Sequence, residues 1–127
     1  MGQKILAFEI KRDKREKLQK ICDDLGITLM YISSEYYEQQ LGALAAIKGF
    51  KKKPIKSKEL PFISEMIVLS GLNSQELDNF LKAYKKGGMS QIPLRAVLTP
   101  DNVFWTQKQL YKELMKEHLF HRNPRRS

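Results

Sequence analysis

The chain has one cysteine, Cys22, and two histidines, His118 and His121, in 127 residues. A single thiol cannot close an internal disulfide, and it excludes any cysteine-rich zinc site. Two histidines near one end are too few for a closed zinc coordination shell. No metal and no cofactor are expected. There is no apolar run of about 18 residues, so no membrane-spanning helix is expected. The start, Met1-Gly2-Gln3-Lys4-Ile5, lacks the apolar stretch of a secretory signal. A cytoplasmic location without membrane attachment is the simplest expectation. Glycine-rich phosphate loops and the H-E-x-x-H zinc pattern are absent too.

Acid is also scarce. Basic residues number 23 against 14 acidic, a net charge of +9. Such a surplus suits a polyanionic partner, although a solvated lysine coat has the same composition. From Lys48 to Lys58, KGFKKKPIKSK carries six lysines and no acid. Pro54 and Pro61 oppose regular structure there, so residues 50–61 read as an exposed basic linker, long enough to move.

Apolar residues make up 42% of the chain, enough for the core of one domain spanning 1–127. Its segments alternate in type. Lys4–Ile10 reads as a strand, and Leu18, Ile21, Cys22 and Leu25 then mark one helical face. Asp13 and Glu16 have capping-box spacing, and Gly26 suits the helix end. A strand follows at Ile27–Ile32. A second helix is predicted from Ser33 or Ser34 to Gly49, with Tyr37, Leu41, Leu44 and either Ala45 or Ile47 facing inward.

The second half repeats this order. Glu65–Ser70 reads as a strand. Asn73 and Glu76 form a capping box, Leu72 and Leu77 a hydrophobic staple, and Gly87-Gly88 a stop. Ile92–Leu98 reads as the fourth strand, and Thr106 with Gln109 caps a last helix bearing Leu110 and Leu114. The fold expected is α/β: a small open, mostly parallel four-stranded sheet in β-α-β-α-β-α-β-α sequence, with order 2-1-3-4 preferred over a ferredoxin-like order. Halves 1–49 and 62–120 would be joined by the linker and followed by a basic tail, 121–127. The halves look like a structural duplication with little residue identity.

Several residues of the second half resemble a family of small bacterial proteins described as a domain of unknown function, number 3783. They are Pro61-Phe62, Ser64-Glu65-Met66, Ser70-Gly71-Leu72, the run Ile92 to Val97, Thr99, Asn102, Trp105-Thr106, Glu113 and Glu117-His118. The resemblance implies a small soluble bacterial protein and brings no activity. The first half is similar only in its order of elements.

Two surfaces attract functional readings. In a parallel sheet of order 2-1-3-4, the switch point lies between the first and third strands, and ligands bind beyond the strand carboxyl ends. Lys11, Arg12, Lys14, Arg15, Ser70, Asn73, Thr99 and Asn102 would meet there as an anion site. The four cations crowd a helix start where the macrodipole prefers acids. The second surface is a polyanion patch: Lys51, Lys52, Lys53 and Lys56 of the linker with Arg122, Arg125 and Arg126 of the tail, placed together at the amino ends of the strands. It has one nearby aromatic, Phe50, where single-strand binders use a stacking platform. Trp105 and Asn102 also have a purely structural reading, as a staple toward Leu110 and an Asx-turn. Arg95 needs either an edge position or a carboxylate, with Glu65 and Glu113 as candidates.

The catalytic inventory is thin. No histidine is placed to serve Ser70 or Thr99, and Cys22 falls on an apolar helix face, where a thiol is inert. The expectation is a non-enzymatic binding domain for nucleic acid or another polyanion. A protein-interaction module and an enzyme with its site at strands 1, 3 and 4 stand as alternatives.

Overall fold

A computed structural model describes residues 2–56, 64–88 and 91–122, with the side chains of 118–122 excepted. The apolar runs form four strands: β1 (Lys4–Phe8), β2 (Thr28–Tyr31), β3 (Met66–Ser70) and β4 (Leu94–Val97), in the order β2-β1-β3-β4. Strands β1 and β3 are buried along nearly their whole length and lie centrally, whereas β2 and β4 are partly exposed and form the edges. That agrees with their composition, because a strand covered on both faces reads as a continuous apolar run.

Both outer pairs, β1 with β2 and β3 with β4, are parallel. The central pair is antiparallel, with Phe8 opposite Met66 and Lys4 opposite Ser70. The expected order is therefore observed in a mixed sheet. With the central strands running oppositely, their carboxyl ends lie at opposite edges of the sheet.

Helices cover both faces. α1 (Arg12–Leu25) and α3 (Ser74–Lys86) pack on one, where Leu18, Cys22, Phe80 and Tyr84 meet Ile5 and Ile67. α2 (Leu41–Leu44) and α4 (Gln107–Arg122) pack on the other, where Leu41, Leu44 and Leu110 meet Leu6, Phe8 and Val68. Alternate residues of each central strand thus serve the two cores, as strand geometry requires.

The halves are equivalent about the central pair, at an offset of 62 residues through the first strand and helix (Phe8 and Ser70, Arg12 and Ser74, Gly26 and Gly88) and of 66 at the second strand (Thr28 and Leu94). Gly26 caps α1 and Gly88 follows the α3 cap Gly87, with matching left-handed φ of 72° and 73°. The offset also relates two side-chain bonds. Gln3 donates to the carboxylate of Glu76 in α3, and at the equivalent positions Glu65 accepts from Lys14 in α1. Each links the residue just before one central strand to the first turn of the other half's helix.

Local details depart from the sequence pattern in three places. The Asp13–Glu16 capping box does not form. Lys11 is the N-cap and makes no side-chain cap, and its backbone N–H donates to Glu65 Oε2 at 2.8 Å. The second helix is broken into a 3-10 turn (Ser34–Tyr36) and the short α2. Tertiary contacts break it. Leu41 N–H donates to Trp105 O at 2.7 Å, and Gln40 bridges to Thr106. Gly42 lies under the Phe50 ring, where a Cβ would come within 2.8 Å. Tyr37, Leu41, Leu44 and Ala45 are nonetheless buried as expected, and Ile47 is exposed. Third, the basic segment is tied down over its described part. Buried Gln39 donates to the carbonyls of Lys53 and Ile55 and accepts from Lys53 N–H.

Lys14 and Glu65 are 5% and 3% exposed, so their ion pair is sealed from water. Removing one partner strands a buried charge. Glu65→Gln is expected to cost about 3–5 kcal/mol in urea unfolding. The double variant Glu65→Gln with Lys14→Met should cost clearly less than the sum of the two single changes.

Candidate functional site

The structure divides the expected anion site. Lys11, Arg12, Lys14 and Arg15 follow β1, whereas Ser70 and Asn73 follow β3 and Thr99 and Asn102 follow β4. Because β1 and β3 are antiparallel, these groups stand at opposite edges of the sheet. Within the first group, Lys14 is buried, and its ammonium donates to Glu65 and to Gln91 O. Glu65 adds a buried acid at the start of α1, beside the exposed Asp13 of its first turn. Arg15 donates from Nε to Ile10 O at 3.0 Å and lies over the Tyr31 ring. Lys11 and Arg12 are exposed.

In the second group, Asn73, Thr99 and Asn102 make local hydrogen bonds, and Ser70 is buried at the end of β3. Asn73 caps α3 in a complete capping box with Glu76. Asn102 Oδ1 accepts from Thr99 N–H, Asn102 N–H donates to Thr99 Oγ1, and Asn102 Nδ2 donates to Val97 O. These bonds close the turn after β4. Thr106 and Gln109 form the expected capping box at α4, and half-buried Trp105 packs in the same core cluster as Leu110. Arg95 takes neither proposed carboxylate. It is exposed on edge strand β4 and lies 5.5 Å from the centre of the Tyr84 ring.

Nucleophiles and metal ligands are sparse. Cys22 is fully buried; burial first, then the charge of Asp23, pushes its thiol from 9.0 up to about 12. Tyr37 is also pushed well above its ordinary value, by burial and by its hydrogen bond to Glu9. Among the described residues no cluster of His, Cys, Asp and Glu could hold a metal ion. No helix among them is long and apolar enough to cross a membrane. The side chains of His118 and His121 lie outside the described residues.

A basic aromatic surface forms where the segment after α2 crosses the 3-10 turn Ser34–Tyr36. Lys51, Lys52, Lys53 and Lys56 are all exposed. Lys52 Nζ stands 5.0 Å from the Tyr36 ring centre, a cation–π contact. Lys56 is 3.9 Å from Glu35. Next to the lysines, Phe50 packs against Phe104 with ring centres 5.2 Å apart, and Phe104 is 59% exposed. The Gln40 amide donates to Phe104 O at 3.2 Å and steadies that turn. The expected partners from the tail fall outside this description: Arg125, Arg126 and the side chain of Arg122 are not among the described residues.

Phe104 and Tyr36 are the residues that sequence reasoning missed. Phe104 lies far from the lysines along the chain, and in Val103-Phe104-Trp105 it reads as one more core residue. The only local signal was its place after the polar turn Thr99-Pro100-Asp101-Asn102, where few apolar residues are covered.

Residues 65–120 match the model of a domain of unknown function (DUF3783). The match takes in β3, α3, β4 and most of α4, which is one of the two equivalent halves. No curated protein and no solved structure matches the chain.

Asn102→Ala removes two side-chain hydrogen bonds and leaves Thr99 N–H and Val97 O without these partners. Its expected cost is about 1–3 kcal/mol by denaturant unfolding. For Cys22, the folded state holds its proton up to about pH 12, whereas the unfolded thiol releases it near 9.0. Its contribution is complete below pH 9 and declines above it, by up to about 1.4 kcal/mol per pH unit for one proton. Cys22→Ala should flatten the alkaline arm of a stability–pH curve, once its cavity cost is subtracted.

Proposed function

We propose that the chain binds single-stranded nucleic acid across the surface formed by Lys51, Lys52, Lys53, Lys56, Phe50 and Phe104. The observation that carries this reading is the exposed Phe104 ring, backed by Phe50, beside a run of exposed lysines. Single-strand binders combine a cationic track for the phosphates with aromatic faces on which bases stack. The lysines hold the backbone without reading sequence, and the ring accepts any base. Gln39 holds the segment in place before a ligand arrives, which lowers the ordering cost on binding. The net charge of +9 would draw a polyanion toward this face. A small soluble bacterial protein, as the resemblance of its second half implies, would meet RNA as the commonest such ligand if it lies in the cytoplasm, the location expected from its sequence.

A second reading, a protein-interaction module, has one observation in its favour. A groove of about 470 Å³ runs between α1 and α3, with Ile21, Leu25 and Ala83 in its lining and Lys17, Lys20 and Lys86 beside them. The nucleic-acid reading is preferred because it uses the exposed rings and the lysines together. Nothing in the described residues favours the enzymatic alternative.

Fluorescence anisotropy with a labelled oligonucleotide, repeated over a range of salt, tests the proposal. Changing Lys51, Lys52 and Lys53 to Glu should weaken binding and flatten the salt dependence, by roughly 0.7 of a log–log unit for each phosphate no longer neutralised. Phe104→Ala should cost about 1–3 kcal/mol of affinity with little change in that slope. Equal binding by parent and variants at every salt concentration would rule out this surface.

A further inference from the structure

We propose that a crevice at the carboxyl ends of β1 and β2 binds a small zwitterion of the α-amino-acid class. The crevice has a volume of about 210 Å³, and its lining includes Glu9, Arg15, Tyr31, Ile32, Ser33 and Ser34. It is separate from the basic aromatic surface and does not depend on that reading. β1 and β2 are parallel, so both carboxyl ends open at the same edge, where α/β sheets take ligands. The antiparallel centre of the sheet removes the expected switch point between β1 and β3; this crevice lies instead between β1 and β2.

Two opposite charges line the crevice without neutralising each other. Neither Glu9 nor Arg15 forms an ion pair with any described residue. Glu9 Oε2 accepts from the Tyr37 hydroxyl at 2.6 Å, and Oε1 accepts no hydrogen bond from a described residue. Arg15 is anchored through Nε to Ile10 O and through its face to the Tyr31 ring, 5.1 Å away. Its two terminal nitrogens make no hydrogen bond to a described residue. A guanidinium held in this way presents a fork matched to a carboxylate. A carboxylate held by a buried tyrosine presents an acceptor for an ammonium group. Ser33 and Ser34 add hydroxyls, and Tyr31 and Ile32 add apolar wall for a side chain.

The chain carries its own comparison for Glu9. Glu9 has φ 56°, in the left-handed region that favours glycine. The equivalent residue of the second half is Gly71, with φ 80°. One half therefore uses the residue the backbone prefers. The other keeps a carboxylate there despite the strain, which points to a use that glycine cannot serve. Bonding Tyr37 is one such use. The uncommitted Oε1 and the unpaired guanidinium sharing the crevice are what extend it to a ligand.

The test uses the full chain in thermal melts and titration calorimetry with each common amino acid at millimolar concentration. The matching amine without the carboxylate, and the matching acid without the amine, serve as controls. The expected result is one-to-one binding of at least one amino acid, with a raised melting temperature and no comparable response to either control. Glu9→Gln and Arg15→Gln should each weaken that binding at least tenfold while circular dichroism stays unchanged. Glu9→Gly should lose the response too, and the rise in melting temperature with it. No binding by the parent chain overturns the proposal. So does unchanged binding by Glu9→Gly or Glu9→Gln. A response that needs Arg15 alone, and is reproduced by the simple acid, overturns it as well, because the site would then recognise a carboxylate and not a zwitterion.

Discussion

The fold turns on the buried pair between Lys14 and Glu65. Glu65 lies one residue before β3, and Lys14 lies in the first turn of α1. Together with Lys11 N–H and Gln91 O, they join the start of α1, the start of β3 and the approach to β4 at one point. Two charges removed from water are tolerable only when each has its counterpart and further hydrogen bonds. Both conditions are met here. The pair also resolves an electrostatic conflict in the sequence, where four cations surround the positive end of a helix dipole. Besides Asp13 of the first turn, a buried acid comes from the other half of the chain. Equivalent positions in the second arrangement hold a neutral donor, Gln3, and the acid Glu76, which also completes a capping box. One contact geometry is thus built with two different distributions of charge.

That equivalence follows from the antiparallel pairing of β1 and β3. Two β-α-β-α halves related about the central pair place their first helices on one face and their second helices on the other. The family match to residues 65–120 covers one half, and the other follows the same plan. The same pairing separates the two sets of strand ends. No single ligand crevice can draw on the loops after β1, β3 and β4, because they lie at opposite edges. Each edge has to build its own site. At the second edge the turn is closed by Thr99 and Asn102 on themselves. At the first, Glu9 and Arg15 remain unpaired around open space.

The basic segment takes its shape from a different constraint. A lysine-rich run with proline has no reason of its own to adopt one path. Here Gln39, 1% exposed, uses both ends of its amide on that segment's backbone. A buried amide must find partners, and the segment provides them. Phe50 closes over Gly42, which has no side chain to obstruct the ring. The outcome is a cationic strip whose backbone is held in place and whose side chains are exposed, next to the largely exposed Phe104 ring.

Much of this was present in the linear pattern. Apolar runs and helical stripes located all four strands and three of the four helices, and Asn73–Glu76, Thr106–Gln109 and Gly26 marked ends that the structure keeps. These are local signals, carried by residues within a turn or two of each other. The strand order was legible too, because a helix stands between every pair of strands except across the linker. Strand direction was not: alternation with a period of two looks the same whichever way the strand runs. The break in the second helix, the partner of Lys14, the pinning of Lys53 by Gln39 and the meeting of Phe50 with Phe104 all join residues distant along the chain. The sequence by itself determined the elements, their order and their buried faces, because periodicity and capping are properties of neighbouring residues. Only the tertiary structure decided which charges pair and which stay open, because that depends on the direction of β3 against β1 and on contacts that no local pattern records.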